Sequence, residues 1–287
     1  MAKKKRRSIL KTVGMTALFV SLGLYVLFQS NKPSNNRNWE YGFEKLAAVS
    51  QDGSTITVKN FRDIQILGNN VTFTYEKRAI NMKDAIKTWL VFEPFPVSFL
   101  PGFKGVAHTY FIFDFKNAPP VAFSVEARRE KGEAYSAEMG MFNKFELMYL
   151  WVTEKDATIQ RAAIRKNDVF MFPLLISEKE TQGLLLQLAK DTTYLESHPK
   201  FYNSLFSNCT NELAKSVNRS RPGTVPFNMA LFFPGFSDSE LYKLGFIPHD
   251  KPLSEIKKEY YITPLVQKIY NDADFSTRLR KELASKK

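Results

Sequence analysis

With 287 residues, 44% of them hydrophobic and 24% charged, the chain is too apolar to be disordered and long enough for one large domain or two small ones. Its formal charge of +12 is not a nucleic-acid signature, because Lys3, Lys4, Lys5, Arg6, Arg7 and Lys11 supply six of those charges in one terminal cluster and no basic helix gathers the rest. No nucleic-acid partner is expected.

Behind the basic segment at residues 1–8, residues 9–29 are expected to be one transmembrane helix, since residues 9–28 are apolar apart from Lys11 and long enough to cross a bilayer. The positive cluster should stay in the cytoplasm, which places everything beyond the span outside. A cleaved signal peptide is the competing reading, but no A-x-A site follows and no cysteine stands there to make a lipoprotein, so an uncleaved signal anchor is expected. Residues 30–37 are polar and contain Pro33, a short tether before one exported domain over residues 38–287.

That domain opens β-rich. Leu46 to Val49 and Ser54 to Asn60 flank Gln51-Asp52-Gly53, a hairpin signal. Further strands are predicted at Val71 to Tyr75, Thr88 to Phe92, Val106 to Phe115, Val121 to Arg128, Lys144 to Thr153 and Val169 to Pro173, as a meander. Ala157 to Lys166 reads as one or two helical turns with Arg161 and Arg165 on one face. After Ser177, which makes a capping box with Glu180, Leu184, Leu185, Leu188 and Tyr194 recur at helical spacing. Arg221 to Phe236, rich in Pro, Gly and Phe, reads as a structured loop with an apolar surface, and Glu255 to Ala284 as a charged covering or tail helix. The expected class is α+β, an antiparallel sheet with helices on the C-terminal side.

Cys209 is the only cysteine. Exported proteins normally use cysteines in pairs, so a single thiol is either an accident or a nucleophile. It follows Ser207 and Asn208, both good N-cap residues, and Thr210 to Val217 reads as a helix, so the thiol sits where unpaired N–H groups and the helix dipole favour thiolate. The alternative is an inert core cysteine.

A thiol nucleophile needs a base and a group that orients it. Of the three histidines, His198 and His249 lie in proline-flanked loops, whereas His108 lies within a strand and shares a face with Val106, Tyr110 and Ile112. If its strand pairs with the next one through the short Lys116 to Pro120 connection, Glu126 approaches the far nitrogen of His108. The alternatives are a core histidine satisfied by a carbonyl and a Glu126 ion pair with Arg128, Arg129 or Arg161. No zinc spacing, no G-x-S-x-G and no phosphate-cradling loop occurs, and no cofactor or metal is expected. The S-x-x-K matches at Ser8 and Ser254 lack supporting context.

The order His on a strand, a polar residue on the next strand, then Cys at a helix start resembles the circularly permuted papain-like fold of the NlpC type. The words VKNFRDI at Val58, AHTYFIFDF at Ala107, SVEARREKGEAYS at Ser124, FELMYLWVTEKD at Phe145 and FYNSLFSNCTNEL at Phe201 resemble, in that order, the periplasmic domain of the bacterial lipoprotein N-acyltransferase Lnb family over most of Asn38 to Arg221. The resemblance implies a thiol acyltransferase held at the outer face of the inner membrane, with a membrane phospholipid as acyl donor and a diacylglyceryl-modified lipoprotein as acceptor. It makes Cys209 the nucleophile, His108 the base and Glu126 its orienter, with the N–H groups of Cys209 and Thr210 at the oxyanion. Tyr202, Asn203, Asn208, Ser124 and Arg128 are then expected around the site, and Phe227, Phe232, Phe233 and Phe236 are either acyl or membrane contacts or ordinary core. Glu154-Lys155-Asp156 stands at the family's acidic-basic word, with no role assigned. The competing functions are a phospholipase, an NlpC-type cell-wall amidase, and a non-enzymatic envelope binding factor.

Overall fold

The computed structural model describes residues 15, 16, 19, 32–67, 70–96 and 102–285. The expected membrane span and the basic segment before it lie almost wholly outside these residues. Among the described residues no helix is long and apolar enough to cross a membrane.

Alternating apolar residues build one eight-stranded sheet from β1 (Ala48–Asp52), β2 (Thr55–Leu67), β3 (Asn70–Asn81), β4 (Ala85–Pro94), β5 (Ala107–Phe115), β6 (Val121–Arg128), β7 (Glu146–Thr153) and β8 (Phe170–Pro173). The predicted hairpin is the β1–β2 pair, whose turn uses Gly53 at φ +54°, a conformation that glycine adopts without steric cost. Strands β4 to β7 form the expected meander. Two features depart from the prediction. β3 lies along one edge of β2, while the other edge serves first β1 and then β7, and that last contact is parallel, at Arg62 opposite Val152. β1 is short and leaves the rest of that edge of β2 free, and β7 takes it. β8 returns from beyond β7 to pair antiparallel with β4.

Helices cover both faces. On one face lie α2 (Glu178–Ser197) and α3 (Cys209–Ser220), which bury Leu184, Leu185, Leu188 and Leu213 against Phe111, Phe113, Phe123 and Trp151. Ser177 and Glu180 form the predicted capping box of α2. On the other face, α1 (Glu154–Ile159) packs with the C-terminal helices against Tyr110, Ile112 and Met148. The single tail helix expected over Glu255 to Ala284 is corrected to three, α5 (Leu253–Glu259), α6 (Thr263–Ile269) and α7 (Phe275–Ser285), with α4 (Ser237–Lys243) before them. Pro264 can start a helix but not continue one, and the polar Asn271 to Asp274 stretch breaks the next. Ile256, Val266, Ile269, Phe275, Leu279 and Leu283 are buried, so this region is a layer of the core.

Glu154 and Asp156 belong to that layer. Glu154 accepts from Arg280 Nη1 at 2.6 Å, and Asp156 takes a two-pronged Arg62 at 2.8 and 2.9 Å. Leu188 is fully buried between α2 and the sheet, so Leu188→Ala should cost about 2–5 kcal/mol in urea unfolding.

Candidate functional site

The candidate site lies where β5 and β6 meet the start of α3. Sheet register sets the first part. Tyr110 pairs with Ser124, and the same antiparallel count carries His108 opposite Glu126, while on its other side His108 pairs with Glu93 of β4. Directly opposed residues share a face, so Glu93, His108 and Glu126 stand in a row across three strands.

The second part is the loop before α3. Tyr202 N–H donates to Phe145 O, and Asn203 Nδ2 donates to Met141 O while its Oδ1 takes the N–H groups of Leu205 and Phe206. Asn208 is the N-cap: its Oδ1 takes Asn211 N–H, and its Nδ2 ties the turn to Ser204 O and Leu231 O. Helix α3 is fixed on the sheet by Glu212, which accepts from Tyr149 Oη at 2.9 Å and Ser207 Oγ at 2.8 Å. Cys209 is thereby the first residue of the helix, with its own N–H and that of Thr210 beyond the reach of helical pairing.

The polar groups form a chain. Ser124 Oγ donates to Glu126 Oε1 at 2.6 Å, so it accepts from His108 Nε2, 2.8 Å away, and His108 Nε2 also lies 3.3 Å from Glu126 Oε1. With Nε2 engaged, the ring nitrogen left for the thiol is Nδ1. Cys209 Sγ is 3.8 Å from Ala107 O, and the thiol and His108 line the same cavity, close enough for the His108 charge to act on the thiol. Glu126 Oε1 also takes Arg161 Nη2 at 2.7 Å, and Arg161 Nε forms an ion pair with Glu93 Oε2 at 3.0 Å. Both partners suggested for Glu126, the histidine and an arginine, are present at once.

These contacts set the protonation states. Burial alone would push the Cys209 thiol up, but the His108 cation and the hydrogen bonds from His108 and Thr109 outweigh it and hold the thiol below its ordinary range. Burial would lower His108, yet the Glu126 carboxylate, aided by Cys209, raises it to about 9 against the opposing Arg161 charge. Glu126, for which burial is again the opposing effect, is held well below the carboxylate range by His108 and Arg161. The arrangement favours the thiolate form of Cys209 beside a charged His108.

A cavity of about 250 Å³ opens over this pair, lined by Cys209, His108, Glu126, Tyr135 and Tyr202 and, on its polar side, by Arg129, Arg161 and Arg165. Tyr135 and Tyr202 are kept as neutral phenols by burial, with their hydroxyls 3.5 Å apart. Among the described residues no group of three or more His, Cys, Asp or Glu could hold a metal ion.

Ser124 stands between His108 and Glu126. Arg128 lies away from the cavity, stacked over Trp39 and donating to the carbonyls of Phe43 and Glu44, because the segment before β1 crosses that end of β6. Asn203 and Asn208 shape the loop rather than face the cavity, and Thr210 Oγ1 bonds Thr109 Oγ1 at 2.9 Å on the opposite side of the sheet end. His198 stacks on Tyr194 and His249 bonds Ile247 O, both local. Glu93, Asn167 and Tyr135 were not singled out in the sequence, although the strand pairing of Glu93 with His108 follows from the β4–β5 register.

Phe227 and Phe206 are 81% and 63% exposed and join Phe232 in an edge-to-face cluster beside the loop that carries the thiol, and neither Phe233 nor Phe236 is fully buried. Exposed aromatics gathered in this way favour the surface role over ordinary core.

The sequence model of the Lnb N-terminal periplasmic domain matches residues 88–232, just over half of the chain, and the matched stretch includes His108, Glu126 and Cys209. The chain belongs to the Lnb family. The match is to the family's periplasmic domain, and within this Lnb chain it begins in β4 and ends just beyond α3, so it contains every strand that carries the row of polar residues. No curated protein and no solved structure matches the Lnb chain.

Proposed function

We propose that this Lnb protein is a lipoprotein N-acyltransferase that carries an acyl chain from a membrane phospholipid, through a Cys209 thioester, to the α-amine of a diacylglyceryl-cysteine lipoprotein. The observation that supports it most directly is the hydrogen-bonded run His108, Ser124, Glu126 beside Cys209 at a helix start, inside the part of the chain that matches the family. On this reading the α+β domain is of the permuted papain-like, NlpC type. The sequence before residue 38 is read as a single-pass anchor and short tether that hold the domain at the outer face of the inner membrane.

The chemistry follows from the protonation states. The Cys209 thiolate attacks the ester carbonyl carbon, and the charge that develops on oxygen meets the N–H groups of Cys209 and Thr210. As the C–O bond breaks, His108 Nδ1 gives its proton to the leaving alcohol, which departs as lysophospholipid. The lipoprotein amine then attacks the thioester carbonyl, His108 takes the proton from that nitrogen, and the C–S bond breaks to release amide and thiolate. Glu126 and Ser124 keep Nε2 protonated and the ring oriented throughout.

Both substrates are lipids, and the exposed phenylalanines suit a domain that dips into their surface. Intact-protein mass spectrometry after mixing with phosphatidylethanolamine vesicles should show a gain of one acyl chain that hydroxylamine removes. An unchanged mass with no lysophospholipid formed would sink the proposal. Phe206→Ser with Phe227→Ser should slow loading from vesicles, relative to loading from a water-soluble short-chain phospholipid, by roughly tenfold.

A further inference from the structure

A second cavity, about 380 Å³, lies on the opposite face of the sheet from His108 and Glu126. One wall is helix α3, through Thr210, Leu213, Ala214, Val217 and Ser220, the face that recurs every three or four residues. Leu90, Phe111, Leu174, Leu231 and Phe246 complete a largely apolar lining. Packed interiors hold few spaces larger than a water molecule, and a largely apolar space of this size favours an apolar occupant.

Its position relative to the thiol is specific. Thr210 and Thr109, the residues that directly follow Cys209 and His108, are part of its lining, and their hydroxyls are bonded to each other between it and the cavity that Cys209 lines. From there it follows α3 to Ser220, about 15 Å at 1.5 Å per residue. At the far end stands the Glu180–Arg221 ion pair. A phospholipid acyl chain spans one leaflet, half of a hydrocarbon core about 30 Å thick, so it also extends about 15 Å.

We infer that this groove holds the fatty acyl chain bonded to Cys209, and that its depth along α3 sets the chain length the protein accepts. The inference rests on the thioester reading above for the bond to Cys209, and on the cavity alone for the chain. It divides the substrate at the nucleophile: the hydrocarbon runs beneath the sheet beside α3, while the ester's polar remainder occupies the cavity lined by Arg129, Arg161 and Arg165.

Ala214 and Val217 lie about 7.5 and 12 Å along the helix from Cys209. Tryptophan at either place should block the groove at that depth, and each methylene denied burial costs about 0.8 kcal/mol, roughly fourfold. The test uses the full chain and phosphatidylethanolamines of graded chain length, with the adduct read by intact mass. Ala214→Trp should lower the ratio of long-chain to short-chain adduct more than tenfold, and Val217→Trp should move the cutoff to a longer chain than Ala214→Trp does. In parallel, Cys209→Ala should bind a dansyl-labelled fatty acid, and adding Ala214→Trp should abolish that binding. Adduct formation with an unchanged chain-length profile in both tryptophan variants, each still folded by circular dichroism, overturns the groove and leaves the thioester standing. Absence of any adduct, with dansyl-lipid binding that Ala214→Trp removes, overturns the thioester and supports the groove as a lipid-chain site. No binding and no adduct overturn both.

Discussion

Replacing His108 with alanine is expected to slow alkylation of Cys209 by iodoacetamide at neutral pH by roughly tenfold or more, and to reduce acyl transfer by about 10⁴-fold. Two effects on the thiol pKa oppose each other, and the substitution removes only one. Burial raises it, while the neighbouring imidazolium and the hydrogen bonds lower it further than burial raises it. In the unaltered protein the thiolate therefore forms below the ordinary thiol range, and its cationic partner persists until the pH passes about 9. Alkylation should therefore rise at lower pH than for an ordinary thiol. Without His108 only burial and the Thr109 contacts remain, so the rate should climb with pH across or above the ordinary thiol range. A variant that alkylates at pH 7 as fast as the parent protein would show that His108 does not ionise the thiol.

The second large effect is expected from Glu126→Gln. This change keeps the shape of the side chain and removes the charge that raises His108. It also leaves Arg161 without one of its two ion pairs, so a buried cation now faces the imidazole with less compensation. The His108 pKa should fall, and the upper limb of the pH profile for acyl transfer should move to lower pH. The amide can also turn its NH₂ toward Ser124 and Nε2, which disturbs the tautomer that leaves Nδ1 for the thiol. A loss of roughly 10²- to 10⁴-fold in kcat follows from comparable orienting groups. Ser124→Ala should cost less, because Glu126 already lies 3.3 Å from Nε2 and can close on it directly. An unshifted pH limb in Glu126→Gln would assign the carboxylate to the Arg161 ion pair alone.

The sequence made most of the strands legible because apolar alternation is local. It also made the His108–Glu126 pairing legible, since a short connection between two strands allows few registers, and the capping residues before Cys209 located the helix start. Contacts made by distant segments were not legible. The parallel edge between β2 and β7 depends on β1 being short, and Arg128 left the site because the Trp39 to Glu44 segment happens to cross it. The breaks in the C-terminal helices were present as Pro264 and the polar Asn271 to Asp274 stretch, but a charged helical composition masked them. The lipid-sized groove leaves no trace in the sequence, because an apolar face on α3 has the same spacing whether it meets a core or lines a void.

Residues 108 and 109 face opposite sides of the sheet, and this has a kinetic consequence. On the reading above, the leaving head group and the incoming amine approach the thioester from the same polar side, where a cavity of about 250 Å³ must serve both in turn. The first product then has to leave before the second substrate enters, while the hydrocarbon stays lodged on the other side of the strand. Initial velocities measured against donor at several fixed acceptor concentrations should give parallel double-reciprocal lines, the pattern of a substituted-enzyme mechanism. Added lysophospholipid should compete with the acceptor, not with the donor.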